Sequence, residues 1–216
     1  MPDNALDALL HGGQLKRYAK GEAVYRRGET ADTLMVLVSG GLKLTIISPH
    51  AREIVLHFVT PGETFGEIGA LDGSEHASNA VALEASEVFS MRMRDLQPAL
   101  TAHPQCLIEI VRALCLKLRV GTSLFEDRTL QMPGRVARGL LRLARHLGRR
   151  RKDGIHLQLT ASQEELGNYL GLARPNVSRQ LGQLKKAGVI KIDGARIVIT
   201  DERGLAKCAE AESSRA

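Results

Sequence analysis

Residues 162–184, SQEELGNYLGLARPNVSRQLGQL, leave this chain fewer structural solutions than any other stretch. They predict two short helices joined by a tight turn, with a basic, polar leading end on the second helix. Ser162 followed three residues later by Glu165 is a capping box, which satisfies two orphan amides and starts the first helix. Leu166, Tyr169 and Leu170 give that helix an apolar stripe, and Gly171 ends it in the turn. The second helix opens near Pro175, where a missing N–H costs nothing. Val177, Leu181 and Leu184 are expected to face inward, leaving Arg174, Asn176, Ser178 and Arg179 at the exposed leading end. This is how a helix-turn-helix presents a recognition helix to the major groove. The next segment, VIKIDGARIVIT, sets Asp193-Gly194 between two β-branched runs, a strong hairpin signal. A hairpin directly after a recognition helix is a wing, and Arg196 near its tip is within reach of a phosphate. A helix pair serving only as core is the plainer alternative. The order of cap, basic end and hairpin argues against it.

A chain of 216 residues allows one or two domains. No run approaches the ~20 apolar residues of a membrane span. The opening MPDNALDALLHGG has neither a basic n-region nor an apolar h-region, so a cytoplasmic protein is expected. Three cysteines, Cys106, Cys115 and Cys208, are widely spaced and suggest neither a zinc site nor a disulfide framework. The net charge of +6 matters less than its distribution. Arg135, Arg138, Arg142, Arg145 and Arg149 recur at steps of three and four, opposite an apolar face of Val136, Leu140, Leu143 and Leu147. Arg150, Arg151 and Lys152 extend the run. An arginine face of this kind is either a polyanion contact or a solvated helix surface. Tyrosine and phenylalanine together number only seven, so stacking on single-stranded nucleic acid is disfavoured and duplex DNA preferred.

Three regions follow one another. Residues 1–103 form the first, and from residue 14 to about 95 they read as short strands punctuated by turns at Gly21, Gly28, Gly40, Gly62 and Gly73. Between these lie LMVLVSG, GLKLTII, EIVLHFV and EVFSMRM, which suggest an antiparallel sandwich or jelly-roll-like β-roll. Residues 104–130 comprise a long helix opening at Pro104, plus a connector. Leu107, Val111, Leu114, Leu118, Gly121 and Phe125 recur along that helix at alternating steps of four and three, a heptad seam that favours a helix pair between two copies of the chain. A monomer could instead lay the same stripe on its own roll. Gly121 on the seam weakens the helix by about 1 kcal/mol relative to alanine and marks a flexible point or a close helix approach. Residues 131–216 form the helix-turn-helix region, with a hinge expected at residues 131–134 and Pro133 opening the next helix. The fold class is α+β.

A glycine-punctuated β-roll, a long helix and a C-terminal winged helix-turn-helix, in that order, resemble the CRP/FNR family of bacterial transcription regulators over nearly the whole chain. The residues that carry the resemblance are PGETFGE at 61–67, His103-Pro104, GNYLGL at 167–172 and Ser178-Arg179. The last portion is closer to the FNR branch than to the cyclic-AMP receptor branch. The resemblance implies a homodimer on a two-fold DNA site that recruits or blocks RNA polymerase. By position it assigns Arg179 to a guanine edge, Arg174 to a second guanine or a phosphate, and Ser178 to a base or phosphate. Ser162 joins this candidate DNA-contacting set. Position 175, usually a base-reading glutamate in the family, is proline here, so the half-site should differ and Asn176 is expected to take over part of the reading.

The resemblance also implies an effector pocket in the roll. Gly66 and Glu67 match its first pair, with Glu67 placed to accept from a ribose hydroxyl. The phosphate-capping Arg-Ser/Thr pair is missing: His76 and Ala77 stand where it is expected. Neutral imidazole cannot make a permanently charged, bidentate phosphate contact, which argues against cyclic AMP. Gly121 and Thr122 occupy the purine-contacting positions of the long helix, and only Thr122 retains a hydrogen-bonding side chain. His76 is either an anion-binding or pH-sensitive group, or a solvent-exposed surface histidine. No axial partner or apolar pocket for haem is identified. No cysteine precedes Cys106, so the iron–sulfur centre of FNR proper is not expected. Cys106 and Cys115 read as packing residues rather than redox switches. Another small effector, a redox signal, and DNA binding without ligand all remain open.

The expected function is therefore sequence-specific, homodimeric DNA binding. A signal in the roll would be carried through residues 121–127 to the hinge at 131–134, and it must bind one state better than the other. The competing reading is a small-ligand sensor with vestigial DNA binding. An enzyme is disfavoured: the sequence shows no nucleophile–base pair, no metal-ligand spacing and no phosphate loop.

Overall fold

The five turn glycines of the N-terminal half all adopt positive φ, between 75° and 90°. Gly40 shows why one of them tolerates nothing larger, since a Cβ there would lie 2.5 Å from the Ala85 carbonyl oxygen. In the computed structural model, which describes residues 12–157, 161–193 and 196–210, these turns separate eight strands: β1 (Gln14–Tyr18), β2 (Ala23–Tyr25), β3 (Thr33–Ser39), β4 (Leu42–Ile47), β5 (Glu53–Val59), β6 (Thr64–Phe65), β7 (Asn79–Ala82) and β8 (Ser86–Arg92). The four segments picked out by apolar alternation coincide with β3, β4, β5 and β8. The strands form two antiparallel sheets, β1-β8-β3-β6 and β2-β7-β4-β5. The chain passes repeatedly between them, so the inward residues of both sheets share one core of Tyr18, Tyr25, Met35, Leu37, Leu42, Val59, Phe65, Ala80, Ala82 and Val88. Two helices, α1 (Glu67–Asp72) and α2 (Met93–Ala102), interrupt and follow the roll. Neither is legible in a pattern of alternating apolar residues.

The long helix α3 (Pro104–Asp127) begins at the expected proline. The chain divides into two compact units inside it, between Leu118 and Arg119, rather than at either end of the helix. Ile110 is buried, whereas the seam residues Leu107, Val111, Leu118 and Phe125 are 42%, 49%, 72% and 73% exposed. Leu114 is half-buried. Within the first unit, Leu107, Val111 and Leu118 are thus not spent on the roll. A Cβ built on Gly121 meets nothing within 4 Å among the described residues.

The second unit holds α4 (Met132–Leu147), β9 (Gly148–Arg151), β10 (Gly154–Leu157), α5 (Gln163–Leu170), α6 (Arg174–Lys186), β11 (Ile190–Asp193), β12 (Arg196–Ile199) and α7 (Glu202–Glu210). Its antiparallel sheet has the order β11-β12-β10-β9. Asp193 pairs with Arg196, as a two-residue hairpin loop requires, although Gly194 of the predicted turn lies outside the described residues, as does most of the opening segment. Helix α4 buries Val136, Leu140, Leu143 and Leu147 as expected. It stops before Arg149, which lies on β9, so the arginine run is not one helix face. None of the helices among the described residues is long and apolar enough to cross a membrane.

Candidate nucleic-acid interface and effector pocket

The helix-turn-helix is built as its local sequence dictates. Ser162 caps α5: its Oγ accepts from the Glu165 amide at 3.2 Å, and its own amide donates to Glu165 Oε2 at 2.7 Å. Gly171 ends the helix at φ 66°, and the Leu172 amide returns to the Gly167 carbonyl at 2.9 Å. Gly167 is required by that return, because a Cβ there would sit 2.6 Å from the Leu172 carbonyl oxygen. Pro175 occupies the first turn of α6, where its missing N–H costs no helix bond. Val177, Leu181 and Leu184 are buried, and Arg174, Ser178 and Arg179 are exposed together at the amino end. Asn176 is half-buried, and its Oδ1 accepts from Arg179 Nη2 at 2.9 Å. Arg196 is exposed on β12 of the wing.

The arginines of α4 do not form a free basic face. Asp127, only 2% exposed at the end of α3, forms ion pairs with Arg142 Nη2 at 2.7 Å and with Arg138 Nη1 at 3.6 Å. Arg142 Nε also donates to the Tyr169 hydroxyl at 2.8 Å. Burial works against the charge of Arg142, but Tyr169 and Asp127 outweigh it and its pKa is raised. Arg135 donates to the carbonyls of Asp127, Arg128 and Leu130. These groups clamp the connector on both sides of the expected hinge and join it to α5. The clamp left one sequence signal, a lone aspartate ahead of arginines spaced along one helix, and that signal reads equally as a solvated surface.

In the first unit, Gly66, Glu67 and His76 come together. Gly66 has φ 75°, and a Cβ built there falls 3.5 Å from both His76 Cε1 and Tyr25 Cε1. His76 is 6% exposed, which overturns the reading of a solvent-exposed histidine. Its ring stacks on Tyr25 at 3.6 Å and 6°, in a slot held by backbone hydrogen bonds to Gly28 and Glu29. Burial lowers its pKa, partly offset by Glu29 and Asp32. Burial pushes the Tyr25 hydroxyl's pKa well up, with Ser78 and the Gly66 backbone acting the other way, and Ser78 is itself buried. A hydroxyl is therefore present inside this segment, at Ser78 rather than at position 77. Ala77 is exposed and carries no charge.

Glu67 is 3% exposed, and its Oε1 pairs with Lys117 Nζ of α3 at 2.8 Å. Lys117 also donates to the Thr64 carbonyl at 2.6 Å. Glu67 Oε2 and Thr64 Oγ1 are buried without a partner. Sequence reading missed Lys117, which sits between seam residues as an ordinary surface lysine would. Thr122 is exposed on α3 beyond the boundary of this unit. Cys115 is exposed and Cys106 half-buried, so only the second fits a packing role.

Comparison with known proteins agrees with this architecture. The cyclic nucleotide-binding domain profile matches residues 15–103, and the Crp-like helix-turn-helix profile matches residues 134–208. The chain is 28% identical over 205 residues to the CRP-like cAMP-activated global transcriptional regulator of Mycobacterium tuberculosis, covering 94% of this chain and 92% of that protein. A CRP-family transcriptional regulator from Thermus thermophilus is 31% identical with TM-score 0.73, over 90% of this chain and 96% of the other. FixK2 from Bradyrhizobium japonicum superposes with TM-score 0.81 at 25% identity, over 91% and 96% of the two chains. With a roll, a long helix and a capped, winged helix-turn-helix in one chain, and these matches along nearly its whole length, the protein belongs to the CRP/FNR family of DNA-binding transcription regulators, which are not enzymes.

Proposed function

We propose that this protein acts as a homodimer that reads a two-fold DNA site and thereby controls the access of RNA polymerase. The observation that carries this reading is the amino end of α6, where Arg174, Ser178 and Arg179 stand exposed on a buried Val177–Leu181–Leu184 base. Arg179 reads a guanine, Arg174 and Ser178 supply further base or phosphate contacts, and Arg196 reaches the backbone from the wing. Ser162 contributes through the amino end of α5 that it caps. Asn176 holds the Arg179 guanidinium and shares in the reading in place of the absent acidic side chain at Pro175. The apolar seam of Leu107, Val111, Leu114, Leu118 and Phe125 joins the two protomers.

The effector pocket departs from the cyclic-AMP pattern. Glu67, the residue expected to take a ribose hydroxyl, already holds Lys117, and neither His76 nor Ala77 supplies a fixed cation for a cyclic phosphate. An effector suited to Gly66, Glu67 and His76 is therefore a small molecule other than cyclic AMP.

Selection from a random duplex pool tests the main reading. The wild type should enrich a two-fold site, and Arg179→Ala should lose about 1–3 kcal/mol of base discrimination per half-site with an unchanged fold. Failure to enrich any two-fold site, or an Arg179→Ala protein that discriminates as well as wild type, would overturn it.

A further inference from the structure

The register of the second unit's sheet sorts its side chains into two rows. Residues directly opposite in antiparallel strands point to the same face. Arg150, Ile155, Ile199 and Ile190 lie opposite one another across all four strands. The three isoleucines are buried, so this row faces the core, and Arg150 at its edge pairs with Glu202 of α7 at 2.9 Å. The neighbouring row is Arg149, His156, Val198 and Lys191, and it faces outward. Arg151 and Arg196 lie two residues along from Arg149 and Val198 and share the outer face.

Four permanent cations, Arg149, Arg151, Lys191 and Arg196, are thus exposed on one side of a sheet whose hairpin is the wing. None of the four makes an ion pair among the described residues. Asp193 is the strand carboxylate on this face, and Asp153 in the β9–β10 turn is engaged with His156 at 2.8 Å. Three gaps between four strands at ~4.8 Å make the row about 14 Å long. A minor groove is about 6 Å wide, so such a row spans it from one phosphate backbone to the other.

We infer that the outer face of this sheet, out to its far edge at β9, is a second DNA-backbone contact that takes flanking duplex beyond the bases read by α6. It rests on the DNA-binding reading and extends it from the wing tip to the whole sheet. The contact adds affinity and salt dependence but no base selectivity, because guanidinium and ammonium groups on a flat face meet phosphates and not base edges.

The test is the salt dependence of operator affinity, measured by fluorescence anisotropy on a duplex with long flanks, for wild type and for the triple variant Arg149→Gln/Arg151→Gln/Lys191→Gln. Each lost phosphate contact flattens the log–log slope by about 0.9, so six substitutions per dimer should flatten it by up to about 5 while base preference is unchanged. Trimming the flanks should weaken wild type and leave the variant unaffected. Arg150→Gln, on the opposite face, should leave the slope within about one contact of wild type. A triple-variant slope within about two contacts of wild type overturns the inference, as does an Arg150→Gln effect of equal size. An unchanged slope with a lost transcriptional response would assign the face to a protein partner and also overturn it. Should the triple variant not fold, Arg149→Gln and Lys191→Gln singly carry the same measurement, each with an expected flattening of about 2 per dimer. Wild-type protein that binds no duplex would instead sink the DNA-binding reading itself.

Discussion

His76 is a residue whose chemistry is set by what covers it. Stacked on Tyr25 and buried, it is held neutral, with its pKa lowered by burial against the pull of Glu29 and Asp32. In the unfolded chain it takes a proton near pH ~6.5. Below that value the unfolded state binds more protons than the folded one, so His76's contribution is intact above about pH 6.5 and is lost as pH falls toward the lowered folded value. We expect the thermal midpoint of His76→Gln to fall less than that of wild type between pH 7.5 and 5.5. Parallel falls in the two proteins would show that the buried imidazole does not set acid stability. The same burial removes His76 as a permanent anion holder, leaving Lys117 as the fixed charge at Glu67.

Helix α3 carries two stripes with different destinies. Ile110 is buried, and Lys117 is turned to the roll, anchored on Glu67 and Thr64. Leu107, Val111, Leu118 and Phe125 are exposed, an apolar row that a single chain leaves in water at a cost of about 25 cal/mol per Å². Replacing Leu118 and Phe125 by Glu should convert a particle of twice 23.5 kDa into one of 23.5 kDa in sedimentation equilibrium, without unfolding it. Operator affinity should fall by about 100-fold or more, because the two recognition helices no longer share an effective concentration. A wild type that sediments at 23.5 kDa would remove the dimer from the account. On α4 three of the arginines serve the protein's own structure: Arg135 closes the carbonyl end of α3, while Arg138 and Arg142 hold Asp127. That clamp ties the residues on the two sides of the 131–134 segment to one another within the second unit.

For the molecule as a whole, the departures at His76 and Ala77 and the Lys117–Glu67 pair lead to one expectation. Cyclic AMP up to ~1 mM should leave operator affinity within about twofold, short of the ~5–150-fold of a working allosteric coupling. A tightening of about fivefold or more would reinstate the nucleotide as effector. Much of the architecture was legible beforehand because its causes are local. Ser162 and Glu165 cap a helix three residues apart, Gly40 and Gly171 answer a demand for positive φ, and the β-branched runs around Asp193 pair across a two-residue loop. Heptad spacing likewise assigns Leu107 to Phe125 to one side of α3. What no local pattern carries is which faces meet. Lys117 finds Glu67 across 50 residues, Arg142 and Tyr169 are 27 residues apart, and His76 is drawn under Tyr25 only because the roll closes over both. The sequence by itself determined the elements, their order and the basic end of α6, since helix caps, turns and periodicity act within a few residues. Only the tertiary structure decided which charges are free and which are spent, because desolvation and ion pairing depend on neighbours that folding brings from far along the chain.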